Sequence, residues 1–152
     1  MRILIVEDDA EQREVLTRVL SRAKGGPSQC FDVATATSRK EAEATLAAEV
    51  YDFVLLDYCL EHNNRESMAL SKALSKKNIP HAFYTANVPM IKTGNIPIGI
   101  PIWQKAEVGV SLDLVTKICD HYGECVEAAA ETAQPRSFLG IPLPRLKKIK
   151  AQ

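Results

Sequence analysis

The sequence predicts an α/β fold, a doubly wound five-stranded parallel sheet with helices on both faces. Three observations carry that expectation. Short apolar runs rich in branched and aromatic residues recur along the chain, stretches with helical periodicity separate them, and the two kinds alternate as far as about residue 122. Such alternation joins parallel strands through crossover helices that cover both faces of the sheet.

Each element has its own signal. Ile3, Leu4, Ile5 and Val6 form the first strand, and residues 10–23 follow as a helix with Val15, Leu16, Val19 and Leu20 on one face. Residues 31–34 are the second strand, and an Ala- and Glu-rich helix spans 38–48 behind a Ser38 cap. Phe53, Val54, Leu55 and Leu56 are the third strand, and residues 65–76 form a helix carrying Met68, Leu70 and Leu74. His81, expected to be structural, precedes the fourth strand at 82–84. Pro89, Gly94 and Pro97 leave room for only a short fourth helix, around 88–92, before a fifth strand at 98–103 that Gly99 and Pro101 interrupt. The last helix is expected to start after a Ser111 cap, to bury Leu112, Val115, Ile118 and Cys119, and to stop at Gly123. A helix-prone stretch at 124–133 and a tail broken off by Pro135 complete the chain, so the expected division is 1–122 for the domain and 123–152 for an extension.

A length of 152 residues suits one domain with an appendage, and 46% apolar with 25% charged residues excludes wholesale disorder and a coiled coil. The formal charge of zero argues against nucleic-acid binding by bulk electrostatics. That zero is a sum of unlike parts. Residues 1–134 hold fourteen basic residues against all nineteen acids, a net of −5, while residues 135–152 hold five basic residues and no acid, a net of +5. Cys30, Cys59, Cys119 and Cys125 make no C-x-x-C pair, no secretory leader is recognised, and no apolar run reaches the roughly 18 residues of a membrane span. A soluble, cytoplasmic protein with reduced thiols and no membrane segment is expected.

Ligands of parallel sheets bind at the carboxyl ends of the strands. Here the first strand ends in Glu7, Asp8 and Asp9, the third in Asp57 and the fourth in Thr85, and the fifth runs into Lys105. Clustered carboxylates repel one another and are held ionised by a hard divalent cation such as Mg2+. A lysine ammonium and a threonine hydroxyl suit phosphoryl oxygens, and a central aspartate can act as nucleophile and form an acyl phosphate. Asp9, at the edge, is read as a helix cap.

These residues, Ile3 to Asp9, Val54 to Asp57, Phe83 to Ala86 and Lys105, resemble the receiver, or phosphoacceptor, domain of two-component response regulators, of the stand-alone single-domain type. The resemblance covers about residues 1–122 and implies the flavodoxin-like receiver fold, a sheet in the order 2-1-3-4-5 with five helices. It implies that Asp57 is phosphorylated by a histidine kinase or histidine phosphotransfer protein. Mg2+ or Mn2+ would be held by Glu7, Asp8, Asp57 and the backbone carbonyl of Cys59, and the phosphoryl group by Thr85, Ala86 and Lys105. The side chains of Cys59 and Asn87 occupy positions that tune the lifetime of the acyl phosphate. The implied protein is no enzyme beyond assisting its own phosphorylation and dephosphorylation; it acts on a downstream protein target. The 30 residues after position 122 are too few for a DNA-binding output domain, and a homodimer is compatible with the resemblance.

The chain departs from the family pattern in its switch region and beside its lysine. Ile102 stands at the aromatic switch position, Trp103 lies one place later and so on the opposite strand face, and Ala106 replaces a proline after Lys105. The loop after Asp57 lacks the family's frequent Met-Pro and later Gly and is expected to be more polar. The alternative these departures motivate is a pseudo-receiver, a protein-binding module that works without phosphorylation; the intact acidic set opposes it. An enzyme of the haloacid dehalogenase type would need an acid two places after the nucleophile, where this chain has Cys59.

Overall fold

A computed structural model describes residues 1–22, 31–62, 64–86, 96–105 and 112–133, the last ten by their backbone. Asn87, the expected helix at 88–92, the Ser111 cap, the peptide between Lys105 and Ala106 and the basic tail lie outside the described residues. The elements are β1 (Arg2–Val6), α1 (Ala10–Arg22), β2 (Asp32–Ala36), α2 (Arg39–Ala48), β3 (Phe53–Leu56), a 3-10 helix (Leu60–His62), α3 (Arg65–Lys76), β4 (His81–Thr85), β5 (Ile102–Gln104) and α4 (Leu112–Ala133). All strand pairs are parallel and the order is β2-β1-β3-β4-β5, the doubly wound order the sequence implied.

Side-chain alternation along the strands divides the core in two. Ile3 and Ile5, Phe53 and Leu55, and Ala82 and Tyr84 pack with Leu16 and Leu20 of α1 and Leu114, Val115 and Ile118 of α4. Leu4 and Val6, Val54 and Leu56, and Phe83 face the other way, onto Ala42, Met68, Leu70 and Leu74 of α2 and α3. Trp103 belongs to the first cluster, stacked on Phe53 with ring centroids 6.1 Å apart, so it is a packing residue. Its neighbour Ile102 faces the second cluster with Ile96 and Ile100.

The α2 cap is as expected: Ser38 accepts a hydrogen bond from the Glu41 backbone N–H at 3.2 Å. Four expectations need correction. Val15 is exposed, so the buried face of α1 is Leu16 and Leu20, and the second strand runs Asp32–Ala36 and not 31–34. The fifth strand begins at Ile102, not at residue 98: Gly99 adopts φ 88° in a turn, Ile98 is fully exposed, and Pro101 has no N–H for a ladder, contributing only its carbonyl to the Phe83 N–H. Gly123 does not stop the last helix, which runs unbroken from Leu112 to Ala133. An interior glycine costs a helix about 1 kcal/mol, and the Ala- and Glu-rich sequence behind Gly123 offsets that cost.

Candidate functional site

Register brings the polar residues together. Val6 pairs with Leu56, so Glu7 and Asp57 leave adjacent strands side by side, and the Asp57 N–H still donates to the Val6 carbonyl at 2.9 Å. Thr85 pairs with Gln104, which sets Lys105 one step beyond, with its N–H on the Thr85 carbonyl at 2.9 Å. Glu7, Asp57 and Thr85 are all buried.

Lys105 Nζ lies between two carboxylates, 2.8 Å from Glu7 Oε2 and 2.9 Å from Asp57 Oδ1. The other oxygen of Asp57 accepts the Cys59 backbone N–H at 2.9 Å, and Asp8 Oδ2 accepts the Glu61 N–H at 3.1 Å. One carboxylate oxygen from each of Glu7, Asp8 and Asp57 lies within 4.8 Å of the others. These groups open onto a cavity of about 490 Å3, which Cys59, His62, Thr85 and Ala86 also line.

The charge balance of this cluster suits a cation. Burial pushes the Glu7 carboxyl up to about 7; its bond to Lys105 opposes the shift and the charge of Asp57 adds to it. Burial draws Lys105 down, but Asp57 and Glu7 together hold it above the ordinary lysine value. Glu7 and Asp57 therefore share the Lys105 ammonium, and Asp8 adds a third carboxylate to the same cluster. An oxygen-only set of this size is what Mg2+ or Mn2+ prefers.

Every described residue of the sequence-derived set lies at this rim except Ile102 and Trp103, which sit on β5 beneath it. Asp9 caps α1, accepting the Gln12 N–H at 2.8 Å. Burial, with the charge of Asp57 second, raises the Cys59 thiol above its ordinary value, so it is a small neutral neighbour of Asp57 and not a thiolate. Two contributors were missed. Arg13 reaches back from the first turn of α1 and donates through one guanidinium nitrogen to the carbonyls of Glu7 at 2.9 Å and Asp8 at 3.1 Å. The other is the Glu61 amide. An arginine in the turn after an acidic strand end could have signalled the first; nothing in the side-chain pattern signals the second.

No family model matches the chain, and no curated protein matches it. Solved structures do. A CheY-like response regulator receiver domain protein from Methanospirillum hungatei JF-1 is similar at 21% identity and a TM-score of 0.65, over 84% of this chain and 97% of that one. The receiver domain of the Francisella response regulator 1452 is similar at 16% identity and 0.61, over 81% and 97%. A sensor protein from Polaromonas sp. JS666 gives 20% and 0.64, over 82% and 97%. At these identities the likeness establishes the fold: this chain has the receiver fold.

Proposed function

We propose that the chain is a single-domain response regulator that accepts a phosphoryl group on Asp57 from a histidine kinase or histidine phosphotransfer protein and thereby changes its binding to a downstream protein. The observation that carries this reading is the buried bridge of Lys105 to Asp57 and Glu7, with Asp8 in the same cluster. Residues 1–122 form the phosphoacceptor unit on this reading and 123–152 an extension to it. No helix among the described residues is long and apolar enough to cross a membrane.

One oxygen of Asp57 forms the bond to phosphorus as the bond from phosphorus to the donor's imidazole nitrogen breaks, and the electron pair leaves with the imidazole. The Cys59 N–H holds the second oxygen of Asp57 and so orients the first. Lys105 moves its charge from the carboxylates to a phosphoryl oxygen, and the Thr85 hydroxyl and Ala86 N–H donate to the others. Asp8, Asp57 and the Cys59 carbonyl, with Glu7 through water, would hold Mg2+ or Mn2+, which would supply the remaining charge neutralisation. Cys59 and Asn87 stand, by their sequence offsets from Asp57 and Thr85, at the positions that tune the lifetime of the acyl phosphate.

Incubation with Mg2+ and acetyl phosphate, followed by intact-mass measurement, tests the reading. Native protein is expected to gain one phosphoryl group and Asp57→Asn none. Absence of the gain in native protein would support the pseudo-receiver instead, and a gain that survives in Asp57→Asn would remove the site assignment.

A further inference from the structure

The loop that follows Asp57 carries two consecutive residues in the left-handed region, Glu61 at φ 53° and His62 at φ 62°. Neither is glycine. For a residue with a Cβ this conformation costs about 1–2 kcal/mol, and side chains such as these adopt it only where something is gained. Glu61, with ψ 39°, turns its backbone N–H toward β1 and donates to Asp8 Oδ2 at 3.1 Å, across 53 residues of sequence. Two positions earlier in the same loop, the Cys59 N–H donates to Asp57 Oδ2 at 2.9 Å. One loop thus delivers a backbone amide to each of two carboxylates that belong to different strands.

We propose that Glu61 is a positioning residue whose left-handed backbone fixes the Asp8 carboxylate at the cation site. The inference rests on the proposed reading of Asp8 as a cation ligand. A carboxylate on an exposed turn samples several rotamers, and each must be given up when it binds a cation. A backbone amide anchored in a loop removes that freedom beforehand without adding a charge that would compete with the cation. Arg13 donates to the carbonyls of Glu7 and Asp8, so the acidic turn is held through both its backbone and its side chain. Partners that orient metal-binding carboxylates in this way typically change metal affinity by about 10- to 100-fold when removed.

The test uses the full-length chain with the Glu61 amide replaced by an ester, which removes the N–H and keeps the side chain, together with Glu61→Gly, which keeps the N–H and accepts the left-handed conformation freely. Mg2+ affinity is measured by calorimetry and fold stability by urea unfolding in chelator. The ester is expected to weaken Mg2+ binding about tenfold, while Glu61→Gly binds within about twofold of native, a margin of some 0.4 kcal/mol, and unfolds at higher urea. An ester that binds Mg2+ as tightly as native protein would overturn the positioning role, as would a Glu61→Gly chain that unfolds at lower urea. Failure of the functional reading is seen separately, as absence of Mg2+ binding in the unsubstituted protein.

Discussion

Lys105 is the only cation bonded to the Glu7 and Asp57 carboxylates among the described residues, and it is largely withdrawn from solvent with them. Removing it leaves two buried carboxylates facing each other in a medium where a lost partner typically costs 3–5 kcal/mol. Glu7, whose pKa is already about 7, relieves part of that cost by taking up a proton. Lys105→Met is therefore expected to lower the stability of the metal-free protein by about 2–3 kcal/mol, measured as urea unfolding in chelator at pH 8. An unchanged midpoint would mean that the bridge is not formed in solution. Glu7, Asp8, Asp57, Thr85 and Lys105 were legible because each directly follows a hydrophobic run whose end faces the same rim. Glu61 was not, and Arg13 only as an arginine in the turn after an acidic strand end, for a physical reason. They act on the site through hydrogen bonds to or from the backbone, and the direction of the Glu61 amide depends on a φ value that glutamate ordinarily avoids.

The elements whose signal was purely periodic appear within one or two residues of where the sequence placed them, and those governed by a competition between glycine, proline and packing do not. β3 and β4 are short, largely branched or aromatic runs buried on both faces. β5 is short because its approach carries a left-handed Gly99 and a proline without an N–H; what holds it is Trp103 stacked on Phe53 and its parallel ladder with β4, extended at either end by Phe83 N–H to Pro101 and Lys105 N–H to Thr85. Gly123 shows the opposite outcome, a residue with a strong tendency to end helices that lies inside one. A Cβ built there meets nothing within 4 Å, and Gly123 is not among the positive-φ glycines. Gly123→Ala is accordingly expected to stabilise the chain by about 0.5–1 kcal/mol by restricting the unfolded chain and improving helix propensity. Thermal unfolding followed at 222 nm checks it; a lower midpoint would show that the glycine answers a contact or a bend in α4.

Across the whole molecule, a buried imidazole adds a polar link between the sheet and α3. His81 opens β4 at 1% exposure, with Nδ1 2.9 Å from the Ile79 carbonyl and Nε2 2.8 Å from Ser71 Oγ on α3. A carbonyl only accepts, so Nδ1 carries a proton, and in the neutral ring Nε2 accepts from the serine hydroxyl. Burial lowers the pKa of His81 below 6.5; the Ile79 bond opposes that shift and the charge of His121 adds to it. The sign of the linkage follows. Below about pH 6.5 the unfolded chain binds a proton at this position that the folded chain refuses, so unfolding becomes easier as pH falls, by at most about 1.4 kcal/mol per pH unit. Glu7 works in the opposite sense, since its raised pKa lets the folded chain bind the extra proton between 4.5 and about 7. The native curve alone therefore mixes two slopes, and the difference between native protein and His81→Gln isolates one. Urea unfolding at pH 7.5 and 5.5 is expected to show His81→Gln less stable than native at the higher pH and the gap narrowing at the lower, as native protein loses what the neutral imidazole contributed. A gap that stays constant on acidification would mean that His81 titrates alike in both states, and one that widens that the folded chain favours the charged ring; either would mean that the Ser71 bond does not hold α3 to β4 through a neutral ring.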